Sequence, residues 1–216
     1  MDVVASSNIP TTAEEWNAKY NAATTCVHFD WYLGYDELQM LLQDVLDRYD
    51  SSCEIFIPGC GLSELAFQLY DVGYENITNA DISTVAVHRM STVQHQRQAT
   101  HMQCVALDST QMPDVPNHCF DVILDKGLLD TLLCSPNNVE DVLALLHELH
   151  RVLKVNGTLV VVSHGPPDTR LMYLTRETFE WTVDTITPIE RICSTIELPK
   201  AGTRRYYMYT CHRRPL

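Results

Sequence analysis

The chain has 216 residues, 45% of them hydrophobic, and a formal net charge of −13 at pH 7. That length suits one α/β domain with a sizeable core. The acidic balance disfavours nucleic-acid backbones, and no apolar run is long enough to span a bilayer.

The N-terminal "MDVVASSNIP" fits neither a secretory signal nor an Arg-rich transit peptide. The 8 cysteines form no C-x-x-C pair, which disfavours a zinc ribbon or a thioredoxin-type site. Several lie in apolar runs, where reduced cysteine acts as a small hydrophobe. A reducing compartment follows, cytosol or nucleus, and the protein is expected to be cytoplasmic. Basic residues cluster only near the C-terminus, at Arg204-Arg205 and Arg213-Arg214. A basic protein surface is therefore the expected partner, with no membrane and no direct nucleic-acid contact.

In chain order, Thr12-Ala13-Glu14-Glu15 is a capping box that opens a helix carrying Trp16 and Tyr20. Asp36 is placed to cap a second helix, with Leu38, Leu41, Leu42, Val45 and Leu46 on one face. Residues 53–58 read as a strand, and 62–72 as a helix closed by Gly73. Residues 76–81 form a second strand ending in Asp81, and Ser83 caps the helix after it. Residues 102–107 and 120–124 are further strands, each followed by an acid, Asp108 and Asp125. A long helix over 139–155 then turns at Asn156-Gly157 into the strand "TLVVVS".

Strands alternating with helices predict a parallel sheet with right-handed crossovers. The segments "WTVDTITPI" and "RRYYMYTCHR" break that rhythm and predict an antiparallel hairpin at one edge, with 197–203 as a surface loop.

In a doubly wound sheet, ligands bind outside the carboxyl ends of the strands. The first such place is "IPGCGLSEL", where Gly59 and Gly61 allow a tight turn. Asp81 follows 20 residues after Gly61, at the end of the next strand, where an acid can bond both ribose hydroxyls of an adenosine.

Three features favour S-adenosylmethionine over a dinucleotide. The third glycine of G-x-G-x-x-G is missing, and Glu64 near a helix start would compete with a phosphate. Asp108 is placed to accept from an adenine amine. The closing hairpin is typical of methyltransferases. Taken singly, Asp81 and Asp108 are each more often turn or cap residues, and it is their placement after successive strands beside the glycine turn that favours a ligand.

"FDWYLGYDEL", "PGCGLSELAFQLYDVGYENITNADIS" and "FDVILDKGLLDTLL" resemble class I S-adenosylmethionine-dependent methyltransferases. Within that class they resemble the eukaryotic elongation factor 1A lysine methyltransferases of the methyltransferase-like-thirteen type. The resemblance covers about Trp16 to Leu174 and implies a Rossmann-like fold, a seven-stranded mostly parallel sheet with a C-terminal antiparallel hairpin. It implies one methyltransferase domain over 1–216. Residues 1–50 would cover the cofactor, 51–165 bind it, and 166–216 supply the substrate side. Cofactor contacts would fall on Trp16, Tyr20, Trp31, Gly59, Gly61, Asp81, Ile82, Asp108, Ser109 and Lys126. Lys19 stands where the family has Arg, and Leu62 where it often has Asn.

The activity implied is methylation of a lysine on a protein such as a translation elongation factor. Two alternatives stay open: a small-molecule methyltransferase on this fold, and a non-catalytic cofactor-binding scaffold. Stretch 166–180 is too short for a large lid, which favours a protein acceptor.

Aromatic faces at Trp16, Tyr20 and Trp31 would attract a sulfonium, although core or lid roles fit them equally. Lys126 would either pair with Asp125 or Asp130, or lie near the methionine carboxylate. Asp125 is the candidate proton acceptor for the incoming amine, with an ion pair to Lys126 as its other reading. His147 and His150 share a packing helix without the H-E-x-x-H spacing, so a surface or core role is expected. His164-Gly165-Pro166-Pro167 follows the fifth strand and resembles a family loop that lines the substrate channel.

Overall fold

The computed structural model describes residues 9–23, 28–193 and 202–215. The N-terminal "MDVVASSN", Cys26 and the expected loop up to residue 201 lie outside them.

Seven strands form one sheet: β1 (Ile55–Pro58), β2 (Ile77–Asp81), β3 (Gln103–Ala106), β4 (Phe120–Lys126), β5 (Leu153–Ser163), β6 (Trp181–Cys193) and β7 (Gly202–Arg213). Their order is β3-β2-β1-β4-β5-β7-β6. The first five are parallel, and β7 pairs antiparallel with both β5 and β6. The chain moves outward from β1 to β3, then returns to β4 on the other side of β1. That reversal opens a crevice at the carboxyl ends of β1 and β4, where such sheets hold ligands.

Alternation puts the two sides of the sheet into two cores. Ile55, Ile57, Val160 and Val162 face one core with Leu38, Leu42, Leu65 and Phe67. Phe56, Leu159 and Val161 face the other with Leu145, Leu146 and Leu149. Burial on both faces is why these central strands read as continuous apolar runs.

The helices are α1 (Ala13–Ala22), α2 (Tyr35–Leu46), α3 (Leu65–Asp71), α4 (Thr84–Gln96), α5 (Leu128–Leu132), α6 (Asn138–Val152) and α7 (Pro167–Leu174). Thr12 caps α1 in a capping box, and Ser83 caps α4. Asp36 does not cap α2. Gly34 takes the cap position, its N–H donating to Glu37 Oε2 at 2.8 Å, and Asp36 lies in the first turn.

Helix α3 starts three residues later than expected, because 62–64 are used in the turn out of β1. The long helix ends at Val152, since Leu153 already pairs with Phe120. Asn156, at φ +65°, therefore sits within β5 at a register irregularity and does not start it. Helices α5 and α7 were not predicted, being only 5 and 8 residues long.

Arg213 also departs from expectation. It is buried, pairs with Glu180 at 3.0 Å, and donates to the carbonyls of His150 and Leu153. His147 and His150 both pack against the Phe179 ring. Burial and the Arg213 charge push His150 down to about 4.

Candidate active site

The turn after β1 uses both glycines in the left-handed region, Gly59 at φ +62° and Gly61 at φ +54°. A Cβ on Gly59 would meet Leu128 Cβ at 2.9 Å, and one on Gly61 would meet Tyr20 Oη at 2.7 Å. Larger residues would thus be strained twice, by backbone and by space. The Gly61 N–H donates to Asp81 Oδ2 at 2.8 Å, and the Ser83 N–H donates to Asp81 Oδ1 at 2.8 Å. Asp81 is 6% exposed, and burial raises its pKa while those two N–H groups oppose the rise. Asp108 ends the chain segment after β3, its Oδ1 accepting from Thr110 N–H at 2.9 Å and Thr110 Oγ at 2.7 Å.

One cavity opens at the crevice. It is lined by Trp16, Tyr20, Trp31, Gly59, Asp81, Ile82, Asp108, Ser109 and Lys126. Thus every expected cofactor residue except Gly61 lines one space, and Gly61 reaches it through its bond to Asp81. Sequence reasoning missed Thr110, Gly127, Leu128, Thr131 and Ser135, which line the same cavity. They carry no distinctive chemistry that a motif could have flagged.

The roof comes from α1 and the stretch 28–34. Trp16 and Tyr20 stack with centroids 5.5 Å apart. The Lys19 ammonium lies 4.7 Å from the Trp16 centroid and 4.6 Å from that of Trp31, so one cation joins the two parts of the roof. Phe29 N–H donates to Leu62 O at 3.0 Å, and the Ser63 hydroxyl donates to Asp30. Lys126 donates to Asp30 Oδ1 at 2.8 Å and to Trp31 O at 3.1 Å. Its partner is therefore Asp30, not Asp125 or Asp130. Burial lowers the Lys126 pKa, and Asp30 pulls against that. The Leu62 side chain is buried in the core, away from the cavity.

Asp125, expected as the proton acceptor for the amine, faces inward. It is fully buried, lines neither this cavity nor its neighbour, and accepts from Leu128 N–H at 2.9 Å and Leu129 N–H at 3.1 Å. Those bonds tie it to the first turn of α5. Burial, with nearby Asp130, pushes it up to about 7.

A second cavity adjoins the first, and Trp16, Trp31, Gly127 and Thr131 line both. Tyr32, Asp130, Cys134 and His164 complete it. Asp130 is 2% exposed and accepts from Ser163 Oγ at 2.5 Å, from Arg170 Nε at 3.0 Å and from His164 N–H at 2.9 Å. Burial raises its pKa, but these partners together outweigh burial and hold it below the usual carboxylate range. The signal for this pair lay in "DKGLLD", whose last acid stands one short helical turn beyond the strand.

Residues 57–161 match the family described as a methyltransferase domain. That match takes in 105 of the 216 residues, from within β1 to within β5. The chain is 40% identical over 138 residues to the human (Homo sapiens) eEF1A lysine and N-terminal methyltransferase, covering 62% of this chain and 19% of that protein. It is 26% identical over 178 residues to EEF1A lysine methyltransferase 4 of Mus musculus, covering 78% and 67%. The chain spans roughly a fifth of the length of the eEF1A lysine and N-terminal methyltransferases it matches. In fold, the chain superposes with TM-score 0.67 on magnesium protoporphyrin IX methyltransferase from Synechocystis PCC 6803 with bound SAM, at 12% identity, covering 99% of this chain and 100% of that one. It superposes with TM-score 0.70 on the [4+2]-cyclase SpnF, at 16% identity, covering 96% and 99%.

Proposed function

We propose that this chain is an S-adenosylmethionine-dependent methyltransferase acting on a lysine of a protein of the elongation factor 1A type. The observation that carries the cofactor is the single cavity shared by Gly59, Asp81, Ile82, Asp108 and the Trp16–Tyr20–Trp31 roof. Each Asp81 oxygen spends one lone pair on a backbone N–H, which leaves the carboxylate acceptor capacity for two ribose hydroxyls. Ile82 would pack on the adenine, and Asp108 would accept from its exocyclic amine. The glycine cradle lets the methionine portion pass close to backbone, beneath the aromatic roof.

When bound, the cofactor supplies an already activated methyl group, so the chain's own task is alignment and exclusion of water. The roof is well made for this, being fixed to the turn and to β4 through Asp30, Ser63 and Lys126. Glu64 stands at the start of α3, paired with Arg97 at 3.0 Å.

The lysine acceptor rests on the names of the curated relatives. The net charge of −13 complements a basic protein surface and disfavours direct nucleic-acid contact. Among the described residues no helix is long and apolar enough to cross a membrane, and a cytoplasmic location fits this reading. On this reading the whole chain acts as one domain. Residues 1–50 cover the cofactor, 51–165 bind it, and 166–216 form the substrate side.

Calorimetry with S-adenosylmethionine tests the cofactor. Labelled S-adenosylmethionine with cell extract tests the acceptor. Saturable binding and a labelled band at elongation factor 1A, both lost in Asp81→Ala, are expected. Binding without label on any protein would overturn the lysine acceptor.

A further inference from the structure

The second cavity holds an acid–imidazole pair that the cofactor does not need. The His164 imidazole Nδ1 lies 2.6 Å from Asp130 Oδ2, and its backbone N–H meets the same oxygen at 2.9 Å. A carboxylate held ionised by Arg170 and Ser163 can only accept, so Nδ1 carries a hydrogen, and in the neutral ring the lone pair is on Nε2. The Tyr32 hydroxyl lies 3.0 Å from the same Nδ1 and also reaches Asp130. The His164 side chain is 55% exposed while Asp130 is buried, so the ring is fixed on one edge and open on the other. Trp16, Trp31 and Tyr32 give the cavity aromatic walls, and two of them also line the first cavity.

We propose that this second cavity receives the aliphatic stem of the acceptor amine, and that His164 Nε2 takes the proton from its ammonium. This rests on the methyltransferase reading of the neighbouring cavity. An N–H bond of the ammonium breaks and an Nε2–H bond forms. The positive charge moves to the imidazolium, beside the Asp130 carboxylate. The freed nitrogen lone pair then forms the new N–C bond as the S–C bond breaks, and the product leaves as a secondary ammonium. Asp130 is a positioning residue, acting only through the ring. The role assigned to Asp125 from sequence thus passes to a histidine that follows β5.

The charged and titratable groups facing the ring are Asp130 from α5, Cys134 just beyond that helix, Arg170 from α7 and Tyr32 from the roof, with Asp125 behind Asp130. Tyr206 of β7 backs Tyr32, centroids 5.2 Å apart.

His164→Asn tests the proposal, because an Asn amide can still donate to Asp130 while no base replaces Nε2. With labelled S-adenosylmethionine and purified elongation factor 1A, kcat should fall about 100-fold, with KM and cofactor affinity within about threefold of wild type. The acid limb of the wild-type pH–rate profile should vanish, the variant's rate climbing instead with hydroxide. A variant within threefold of wild-type kcat would overturn the proposal.

Nitrogen NMR of the full chain gives a readout independent of turnover. The His164 ring should show the Nδ1–H tautomer, and Asp130→Asn should abolish that preference. Butylamine added with S-adenosylhomocysteine should shift His164 Nε2 saturably. An Nε2–H tautomer, or no butylamine shift, would overturn the proposal even if elongation factor 1A proves the wrong acceptor. Failure of labelling alone, with the tautomer and the shift intact, would overturn only the choice of acceptor protein.

Discussion

The backbone N–H of Gly61 donates to Asp81 Oδ2 at 2.8 Å, which ties the turn after β1 to the acid at the end of β2. The glycine turn and the ribose acid are therefore one unit. Gly61 works through that bond and does not touch the cavity itself.

Gly61→Ala should accordingly damage binding more than a loop substitution would. The backbone stands at φ +54°, and the new methyl would meet Tyr20 Oη at 2.7 Å. We expect a loss of about 1–3 kcal/mol in stability and cofactor affinity weakened at least about tenfold, an amount worth about 1.4 kcal/mol. Chemical denaturation and calorimetry check the two parts separately. Unchanged affinity would show that Asp81 holds its orientation without the turn.

Asp125→Asn makes a different kind of prediction, on the fold, because Asp125 is buried and bonded to the N–H groups of α5. Its folded pKa is raised to about 7 from the usual carboxylate range. Between about pH 4 and about pH 7 the native state then holds a proton that the unfolded chain has lost. Its contribution to stability is complete below about pH 4 and is lost as pH rises through about 7. Urea midpoints measured across that window should fall with rising pH in wild type, and fall less in Asp125→Asn. Parallel curves would contradict the assignment.

Lys126 and Asp30 should be coupled. Their contact is 2.8 Å, with the lysine side chain buried and the acid partly exposed. A double-mutant cycle on Lys126→Met and Asp30→Asn should give an interaction of about 1–2 kcal/mol in cofactor binding. Additive effects would mean that the roof is held by its other contacts alone.

Lys19→Ala should loosen the roof, removing the cation between the Trp16 and Trp31 rings. Cofactor affinity should fall about three- to fivefold, consistent with roughly 0.5–1 kcal/mol for a partly exposed cation–π contact. Lys19→Arg should stay near wild type, because a guanidinium serves the same two faces. Tryptophan fluorescence during cofactor titration reports both variants.

Much of this was legible in the sequence because strands leave strong local marks. The acids after β2 and β3 and the glycine turn after β1 are spaced by the fold itself, and nine of the ten residues expected at the cofactor line one cavity. What the sequence hid depends on long-range contacts. Lys126 was read against its neighbours Asp125 and Asp130, but bonds Asp30, 96 positions away. Asp125 looked catalytic because it ends a strand, yet two backbone N–H groups of α5 claim it. His164 meets Asp130 across 34 positions, which no local pattern encodes. Arg213 looked like part of a surface cluster until Glu180 took it inside.

The most direct measurement incubates the full chain and Asp81→Ala with labelled S-adenosylmethionine and purified elongation factor 1A, then maps the label by mass spectrometry. Methyl groups on lysine with the wild-type chain, and none with Asp81→Ala, are expected. Normal cofactor binding with no methylated residue on elongation factor 1A would contradict the proposed activity.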